Sequence, residues 1–172
     1  EEISTIKVGD VTDFSNFMGA VIDGASFKTQ ATAIEDAKQH AETEIVVGGG
    51  YDDSRGYFVE PTVIETRDPD FRLMREEIFG PVVTTYVYDE NRWADTLALV
   101  DRTAPYGLTG AVFSEDRAAA ADAQDRLRYA AGNFYVNDKP TGAVVGQQPF
   151  GGARASGTND KAGSKLNLIR WV

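Results

Sequence analysis

The chain of 172 residues, with 42% hydrophobic and 26% charged side chains, has the composition of a soluble globular domain. Its formal net charge of −10 disfavours nucleic acid and anionic membranes as partners, and no apolar run approaches the length of a membrane span. The sequence has no cysteine, which excludes disulfides, zinc–thiolate sites and thiol chemistry within these residues.

Periodicity and turn residues predict that helices and strands alternate. The predicted elements are, in chain order, a helix over residues 26–42, a strand over 45–47, β-forming residues over 57–65, a strand over 82–88, a helix over 92–101, a strand over 108–113, a helix over 114–129 and a strand over 134–136. Ser26 and Ser114 are the predicted helix caps. Pro61 indicates either an edge strand or the entrance to a strand.

The alternation of strands and helices predicts the fold class. It indicates an α/β fold, with a mostly parallel twisted sheet flanked by helices. One predicted helix places Trp93, Leu97 and Val100 on a single face, as expected for a helix that packs on such a sheet. Residues 137–163 are rich in Gly, Pro, Thr, Ser and Asn and predict a loop of exceptional length, which favours a functional role.

Three polar or glycine-rich features have simple structural interpretations. The glycines at 48–50 lack the lysine and hydroxyl residue of a phosphate loop, so they predict a tight turn. The acidic pairs at 52–53 and 159–160 lack the spacing of a calcium loop, so we predict no metal site. His40, the single histidine, stands near a predicted helix C-terminus, where its cation is favoured, and no catalytic partner is evident.

Two other motifs carry candidate chemistry. Glu76 and Glu77 precede a strand, and their carboxylates suit either acid–base work or an ordinary charged turn, alternatives that spacing leaves open. The segment 147–157 surrounds Phe150 and Arg154 with small residues. Its backbone N–H groups suit an anion and its ring suits a pocket wall, whereas the alternative is a disordered linker.

The same two motifs resemble the signatures of a known family. Residues 76–82 are similar to the E-E-x-F-G-P-V signature of aldehyde dehydrogenases, and residues 149–157 are similar to that family's P-F-G-G-x-x-x-S-G signature. Four further segments resemble the Δ1-pyrroline-5-carboxylate dehydrogenases within it: residues 56–62, 106–113, 131–139 and 145–161. The resemblance extends from about residue 6 to residue 171.

The resemblance implies an NAD-dependent oxidation of L-glutamate γ-semialdehyde to L-glutamate, in proline catabolism. In that family a cysteine thiolate attacks the aldehyde and a glutamate activates water, and both residues precede the segment that corresponds to this chain. Residues 1–172 are therefore expected to be the C-terminal part of a catalytic domain, with the NAD-binding half upstream of Glu1. The resemblance places no catalytic residue in the chain, and we expect it to be inactive alone.

Site residues are implied only where the motifs match. The resemblance assigns Glu77 to the hydroxyls of the nicotinamide ribose and Phe79 to the face beside that ribose. It assigns Gly142 and Ala143 to a loop whose backbone N–H groups hold the substrate α-carboxylate, and Phe150 to the aliphatic wall of the substrate pocket. The sequence departs from the family pattern at residue 140, a proline in place of serine, and at Ala143, where some relatives carry serine.

The resemblance also implies the partners of the parent protein. These are a small-molecule substrate, a second copy in a homo-oligomer, and a functional link to proline dehydrogenase, with no nucleic acid and no membrane. The expected compartment is the bacterial cytoplasm, with the mitochondrial matrix as the alternative. Two rival functions remain: a non-catalytic binding or oligomerisation module of the same fold, and a dehydrogenase for another aldehyde, which the loop at 137–163 disfavours.

Overall fold

The computed structural model describes residues 1–140, 143–144 and 147–172, and the chain divides into two compact units, Glu1–Tyr88 and Asp89–Val172. The elements of the first unit are α1 (Gly24–Gln39), β1 (Thr43–Val47), β2 (Tyr51–Asp52), β3 (Phe58–Val59), β4 (Thr62–Thr66), α2 (Arg72–Arg75) and β5 (Val82–Tyr86). Those of the second are α3 (Trp93–Thr103), β6 (Tyr106–Gly107), β7 (Thr109–Val112), α4 (Arg117–Arg126), β8 (Asn133–Val136) and β9 (Ala153–Arg154). Short 3-10 helices cover Ile3–Thr5, Glu90–Arg92 and Lys165–Trp171.

The first unit is built on a three-stranded sheet in the order β1-β4-β5. Strand β4 pairs antiparallel with β1 and parallel with β5, and its buried positions alternate at Thr62, Ile64 and Thr66. The two buried hydroxyls are hydrogen-bonded: Thr62 Oγ1 accepts from Gly49 N, and Thr66 Oγ1 accepts from Asp68 N. Because these polar groups are satisfied, they are compatible with burial in the middle of the sheet.

The core of the first unit lies between the sheet and α1. Five buried side chains form it: Ala33, Ala37, Ile64, Phe71 and Leu73. Small alanines on the buried face of α1 let the helix approach the strands closely, and Ile64 projects from the central strand into that face. Burial of this cluster positions α1 behind the loop that joins α2 to β5.

The structure corrects several local predictions in the first unit. Helix α1 begins after Asp23, whose carboxylate accepts a hydrogen bond from Ser26 N at 2.7 Å, so Ser26 is not the cap. Pro61 stands at the entrance of β4, as one alternative held, and the edge-strand alternative is wrong because β4 is paired on both sides. Gly48 and Gly49 have φ of +77° and +90°, but β1 and β2 run on in one direction opposite residues 58–66 and the chain reverses only after β2, so the tight turn predicted at 48–50 is wrong.

The second unit combines a parallel pair, β7 with β8, and an antiparallel pair, β6 with β9. Helices α3 and α4 pack together through buried Leu97, Ala123 and Leu127. The indole Nε1 of Trp93 donates to Asp122 Oδ2 at 2.8 Å, which ties one helix to the other. Val100 is exposed, so the predicted apolar face of α3 holds only in part.

The cap of α4 also differs from the prediction. Asp116 accepts from Ala118 N and caps the helix, whereas the Ser114 hydroxyl accepts from Asp116 N one step earlier. An aspartate and a serine two residues apart both suit a cap, and only the backbone conformation selects between them.

The α/β fold class is confirmed, but the strand pairing is mixed. Among the described residues two strand pairs are parallel and three are antiparallel. The prediction of a mostly parallel sheet is therefore corrected: β1 pairs antiparallel with β4, and the two-residue strands add the antiparallel pairs β2–β3 and β6–β9, which propensity does not reveal. In the described part of the chain no helix is both long and apolar enough to cross a membrane.

Candidate functional site

The loop between α2 and β5 presents two exposed side chains on either side of an anchored one. Ile78 packs against the core of the first unit, while the Glu77 carboxylate and the Phe79 ring face solvent. Phe79 is 86% exposed, and its φ of +50° lies in the left-handed region that bulky residues rarely adopt. A strained backbone that exposes an aromatic ring is typical of a ligand-binding position rather than of a packing position.

The start of this loop is held by ion pairs that join α2 to α1. Arg72 donates to Glu76 Oε2 at 2.8 Å and also pairs with Asp36. The hydrogen bond to Glu76, followed by the one to Asp36, raises the pKa of the guanidinium above its usual value. Glu76 is thus committed to Arg72, and Glu77 is the carboxylate of the pair that remains turned outward.

The middle and the end of the loop are held by hydrogen bonds to two of its backbone carbonyl groups. The carboxamide of Gln30 donates to Ile78 O at 2.6 Å, and Thr62 N donates to Pro81 O at 2.8 Å. These contacts join the loop to α1 and to β4. The result is a preorganised pair, a carboxylate that accepts hydrogen bonds and an aromatic face, which suits the hydroxyls and the apolar C–H groups of a ribose.

The second candidate segment, residues 147–157 in the second unit, is organised by Asn133 on β8. The buried side chain of Asn133 donates to Pro149 O at 3.0 Å and accepts from Gly151 N at 3.2 Å. Phe150, between these two anchors, is half-buried and forms a β-bridge with Ala162. The ring therefore projects from a segment fixed on both sides, as a pocket wall requires.

Three polar side chains secure the remainder of this segment. Ser156 Oγ accepts from Gly107 N at 3.0 Å, and Lys161 Nζ donates to Gly132 O at 2.7 Å. Arg154 donates to the carbonyl and the carboxylate of Asp101, so its charge is neutralised by the protein. These bonds disfavour the disordered-linker alternative and leave backbone N–H groups, rather than Arg154, as candidate anion donors.

The predicted substrate-anchoring positions are only partly described. Ala143 is half-buried, and Gly142 lies outside the described residues. Glu77 and Phe79 belong to the first unit, whereas Ala143 and Phe150 belong to the second. The predicted site residues thus form one group in each unit.

Sequence reasoning missed the side chains that hold these loops. They are Gln30, Asn133, Ser156 and Lys161. Asn133 carried a usable signal, since an amide inside an otherwise apolar strand pattern must find buried partners. Little in the sequence indicated that Gln30 is buried, because a glutamine in an amphipathic helix is usually exposed.

His40 lies at the C-terminal end of a helix, as the sequence predicted, and its contacts there are structural. It ends α1, its Nδ1 accepts from Glu42 N at 3.2 Å, and its Nε2 lies 3.4 Å from Asp68 Oδ2. Its ring packs against Phe71, with ring centroids 4.8 Å apart. Across the residues for which the structure gives positions, no group of three or more acidic, histidine or cysteine side chains could hold a metal ion.

Comparison with known proteins decides the family. The family model described as "Aldehyde dehydrogenase family" matches residues 1–169. The chain belongs to the aldehyde dehydrogenase family. Several curated relatives are named mitochondrial delta-1-pyrroline-5-carboxylate dehydrogenase. The one from Dictyostelium discoideum is 56% identical over 99% of this chain, and the one from Homo sapiens is 55% identical over 100% of this chain.

Solved structures of aldehyde dehydrogenases agree with this fold. The Delta-pyrroline-5-carboxylate dehydrogenase from Mycobacterium tuberculosis is 54% identical and superposes with a TM-score of 0.86 over 99% of this chain. A betaine aldehyde dehydrogenase from Staphylococcus aureus is 33% identical, with a TM-score of 0.76 over 91% of this chain. The chain spans about 30% of the length of the Dictyostelium discoideum and Homo sapiens relatives, and about 30% of the length of each of these two solved structures.

Proposed function

We propose that these residues are the C-terminal part of the catalytic domain of an NAD-dependent enzyme that oxidises L-glutamate γ-semialdehyde, the open form of pyrroline-5-carboxylate, to L-glutamate. The observation that carries the proposal is the 52–56% identity, over 97–100% of the chain, to eight curated relatives named as delta-1-pyrroline-5-carboxylate dehydrogenases. The lower identity to a betaine aldehyde dehydrogenase, 33%, favours this substrate over another aldehyde.

The loop between α2 and β5 fits a role in cofactor binding. The exposed Glu77 carboxylate would accept hydrogen bonds from the two ribose hydroxyls next to the nicotinamide, and the exposed Phe79 ring would pack beside that ribose. NAD, when bound, accepts the hydride of the oxidation. A Mycobacterium tuberculosis relative that is 55% identical has been solved bound with NAD, which supports this assignment.

The loop at residues 137–163 fits a role in substrate binding. The backbone N–H groups at Gly142 and Ala143 would hold the α-carboxylate, and Phe150 would line the aliphatic part of the substrate. Its backbone, fixed by Asn133 on one side and bridged to Ala162 on the other, supports a rigid pocket wall. Pro140 restricts the backbone just before the anchoring residues, which favours a preformed loop.

The whole protein is proposed to act as a homo-oligomer on a small-molecule substrate, in a functional link to proline dehydrogenase. The proposed compartment is the bacterial cytoplasm, with the mitochondrial matrix as the alternative that the mitochondrial relatives support. The net charge of −10 fits these assignments, because it repels nucleic acid and anionic lipid.

The test compares the whole protein, the isolated 172-residue chain and two variants of the whole protein, each given NAD and pyrroline-5-carboxylate. We expect the whole protein to reduce NAD and the isolated chain to be inactive, because it contains no cysteine. Glu77→Gln should raise the KM for NAD about tenfold, since a charge-assisted acceptor is lost. Glu44→Gln, an exposed change on β1, is the matched control and should leave KM unchanged.

The rival function, a non-catalytic binding or oligomerisation module, makes the opposite prediction. A module needs neither an outward carboxylate nor a strained, exposed ring. If the whole protein neither reduces NAD nor binds it in calorimetry, the module becomes the better explanation. Activity of the isolated chain would contradict the proposed thiol chemistry.

A further inference from the structure

Gln30 is a polar side chain in an apolar place. It lies on the inner face of α1, on the same side as Ala33, Ile34 and Ala37, and it is 0% exposed. Burial of a carboxamide is unfavourable unless its groups find hydrogen-bond partners. The position therefore calls for a reason beyond the packing of α1.

The carboxamide of Gln30 makes one long-range bond, to the loop that carries Glu77 and Phe79. Its Nε2 donates to Ile78 O at 2.6 Å, across 48 residues of sequence. Because the partner is a carbonyl, the donor must be the nitrogen, so the orientation of the amide is determined by chemistry. Among the residues that the structure describes, no donor reaches the buried Oε1.

Gly80 shows how closely the loop is fitted to this side chain. A Cβ at Gly80 would lie 2.5 Å from both Nε2 and Oε1 of Gln30, closer than real contacts allow. The loop thus passes directly over the carboxamide, and glycine is needed at residue 80 for space. Ile78 and Gly80 both meet Gln30, and Phe79, with its φ of +50°, stands between them.

This arrangement distinguishes a positioning role from mere filling of the core. An apolar side chain of the same length would fill the space and would leave no unpaired oxygen. It would also leave the carbonyl of Ile78 without this donor and release the segment that keeps Phe79 in a strained conformation. Packing alone does not explain a buried side chain with an unpaired Oε1, whereas the hydrogen bond from Nε2 to Ile78 O does.

We propose that Gln30 is a positioning residue for NAD binding, which orders the Glu77–Phe79 segment before the cofactor arrives. This inference rests on the proposed function, because it assigns the ordered segment to the nicotinamide ribose. Gln30 itself acts only through Ile78 O. Preorganisation of this kind improves affinity by reducing the ordering that binding requires.

The test uses the whole enzyme and the variant Gln30→Met, which keeps the length of the side chain and removes the donor. We expect its Kd for NAD, measured by calorimetry without aldehyde, to rise about fivefold, as for the loss of one ordering hydrogen bond. The KM for pyrroline-5-carboxylate should stay within twofold. Amide exchange of residues 77–80 without NAD should become faster.

Two further variants keep the test decisive. Ile34→Val, a change in a buried residue of the same helix with no bond to the loop, is the matched control and should leave the Kd for NAD unchanged. Gly80→Ala attacks the same contact from the loop side and should weaken NAD binding in the same way, even if Gln30→Met folds poorly.

The outcomes separate this inference from the function on which it rests. Failure of the wild-type enzyme to bind NAD would overturn both. If the wild type binds NAD, and Gln30→Met and Gly80→Ala bind it equally well with unchanged exchange at residues 77–80, only the role of Gln30 is overturned. Weaker binding with faster exchange in both variants, and not in Ile34→Val, supports it.

Discussion

Phe79 has a backbone conformation that opposes stability and a ring whose exposure suits the binding role proposed for it. Its φ of +50° is unfavourable for any side chain with a Cβ, by about 1–2 kcal/mol for the left-handed conformation. Its ring is 86% exposed, so burial within these residues offers little compensation. Gln30 and the packing of Ile78 hold the backbone in place, which leaves the ring available for a ligand.

Phe79→Gly should therefore stabilise the free protein and weaken the proposed cofactor site. Glycine adopts positive φ without steric penalty, so we expect a small rise in the apparent Tm of the whole protein without NAD. Loss of the ring should raise the Kd for NAD. The matched control is Phe79→Ala, which removes the ring but keeps the Cβ, and which should lose affinity without gaining thermal stability.

Arg154 and Glu76 show why charge in a motif is a poor guide to function. Both stand in segments that the sequence marked as candidate chemistry. In the structure Arg154 pairs with Asp101 and Glu76 with Arg72, so each is a structural contact. The outward carboxylate of Glu77 and the backbone around Phe150 remain as the chemically available groups.

At the scale of elements, α1 supports the loop between α2 and β5. Asp36 anchors the start of the loop through Arg72, and Gln30 anchors its middle. Anything that frays the N-terminal end of α1 should therefore be felt in the loop. The capping residue, Asp23, is the natural place to test this.

Asp23→Ala should lower the free energy of unfolding by about 1 kcal/mol, the usual effect of losing an N-cap. Ser26→Ala is the matched control, because Ser26 contributes only its backbone N–H to the cap, and its effect should be within about 0.5 kcal/mol. Denaturant titration of the two variants measures both free energies of unfolding. Equal effects would mean that the cap is misassigned.

Helices α3 and α4 are joined by a carboxylate with two partners. The Asp122 carboxylate accepts from Arg126 Nε and from Trp93 Nε1, each at 2.8 Å. The hydrogen bond from Arg126, and next the one from Trp93, lowers the pKa of Asp122 below its ordinary value of 3.8. Because the pKa of Asp122 is lower in the folded state than in the unfolded state, its ionised carboxylate stabilises the folded state at pH values above 3.8. This contribution is lost as the pH falls through the pKa of the folded state.

The indole of Trp93 should report this titration. In the isolated chain with Trp171→Phe, which leaves Trp93 as the remaining tryptophan, we expect the midpoint of its fluorescence change to lie below the ordinary aspartate pKa of 3.8. Asp122→Asn should remove that step, because no carboxylate is left to protonate. A fluorescence change that is complete above 3.8 in the protein with Asp122 would contradict the assignment.

At the scale of the whole molecule, charge and exposed apolar surface act against each other. The net charge is −10, while several large apolar side chains are exposed, among them Phe14, Phe17, Ile22 and Trp171. Such surface favours association when repulsion is weak. These positions are candidates for burial in the whole protein.

The isolated chain should therefore remain dispersed at neutral pH and associate as the carboxylates begin to protonate, near pH 4–5. Light scattering across this range measures the effect. Added salt at pH 7 should also promote association of the isolated chain, because it screens the repulsion between the negative charges. A monodisperse sample at pH 4.5 would show that the exposed apolar residues do not govern its solubility.

The sequence predicted the family, the α/β class and nearly every long element, because each of these depends on local pattern. A continuous run of β-forming residues predicts β5, and an alanine-rich segment predicts α4, from local sequence alone. Motif matching named Glu77, Phe79 and Phe150 for the same reason. The roles of these residues stay predictions that the experiments above address.

Tertiary structure alone decided which side chains hold the loops and how the strands pair. Whether Gln30 is exposed or buried, and whether Arg154 meets an anion or Asp101, depends on contacts between residues tens of positions apart. The same holds for β4, whose central place follows from pairing with β1 and β5. Local propensity carries no information on such contacts, since their free energy arises only when distant segments are brought together.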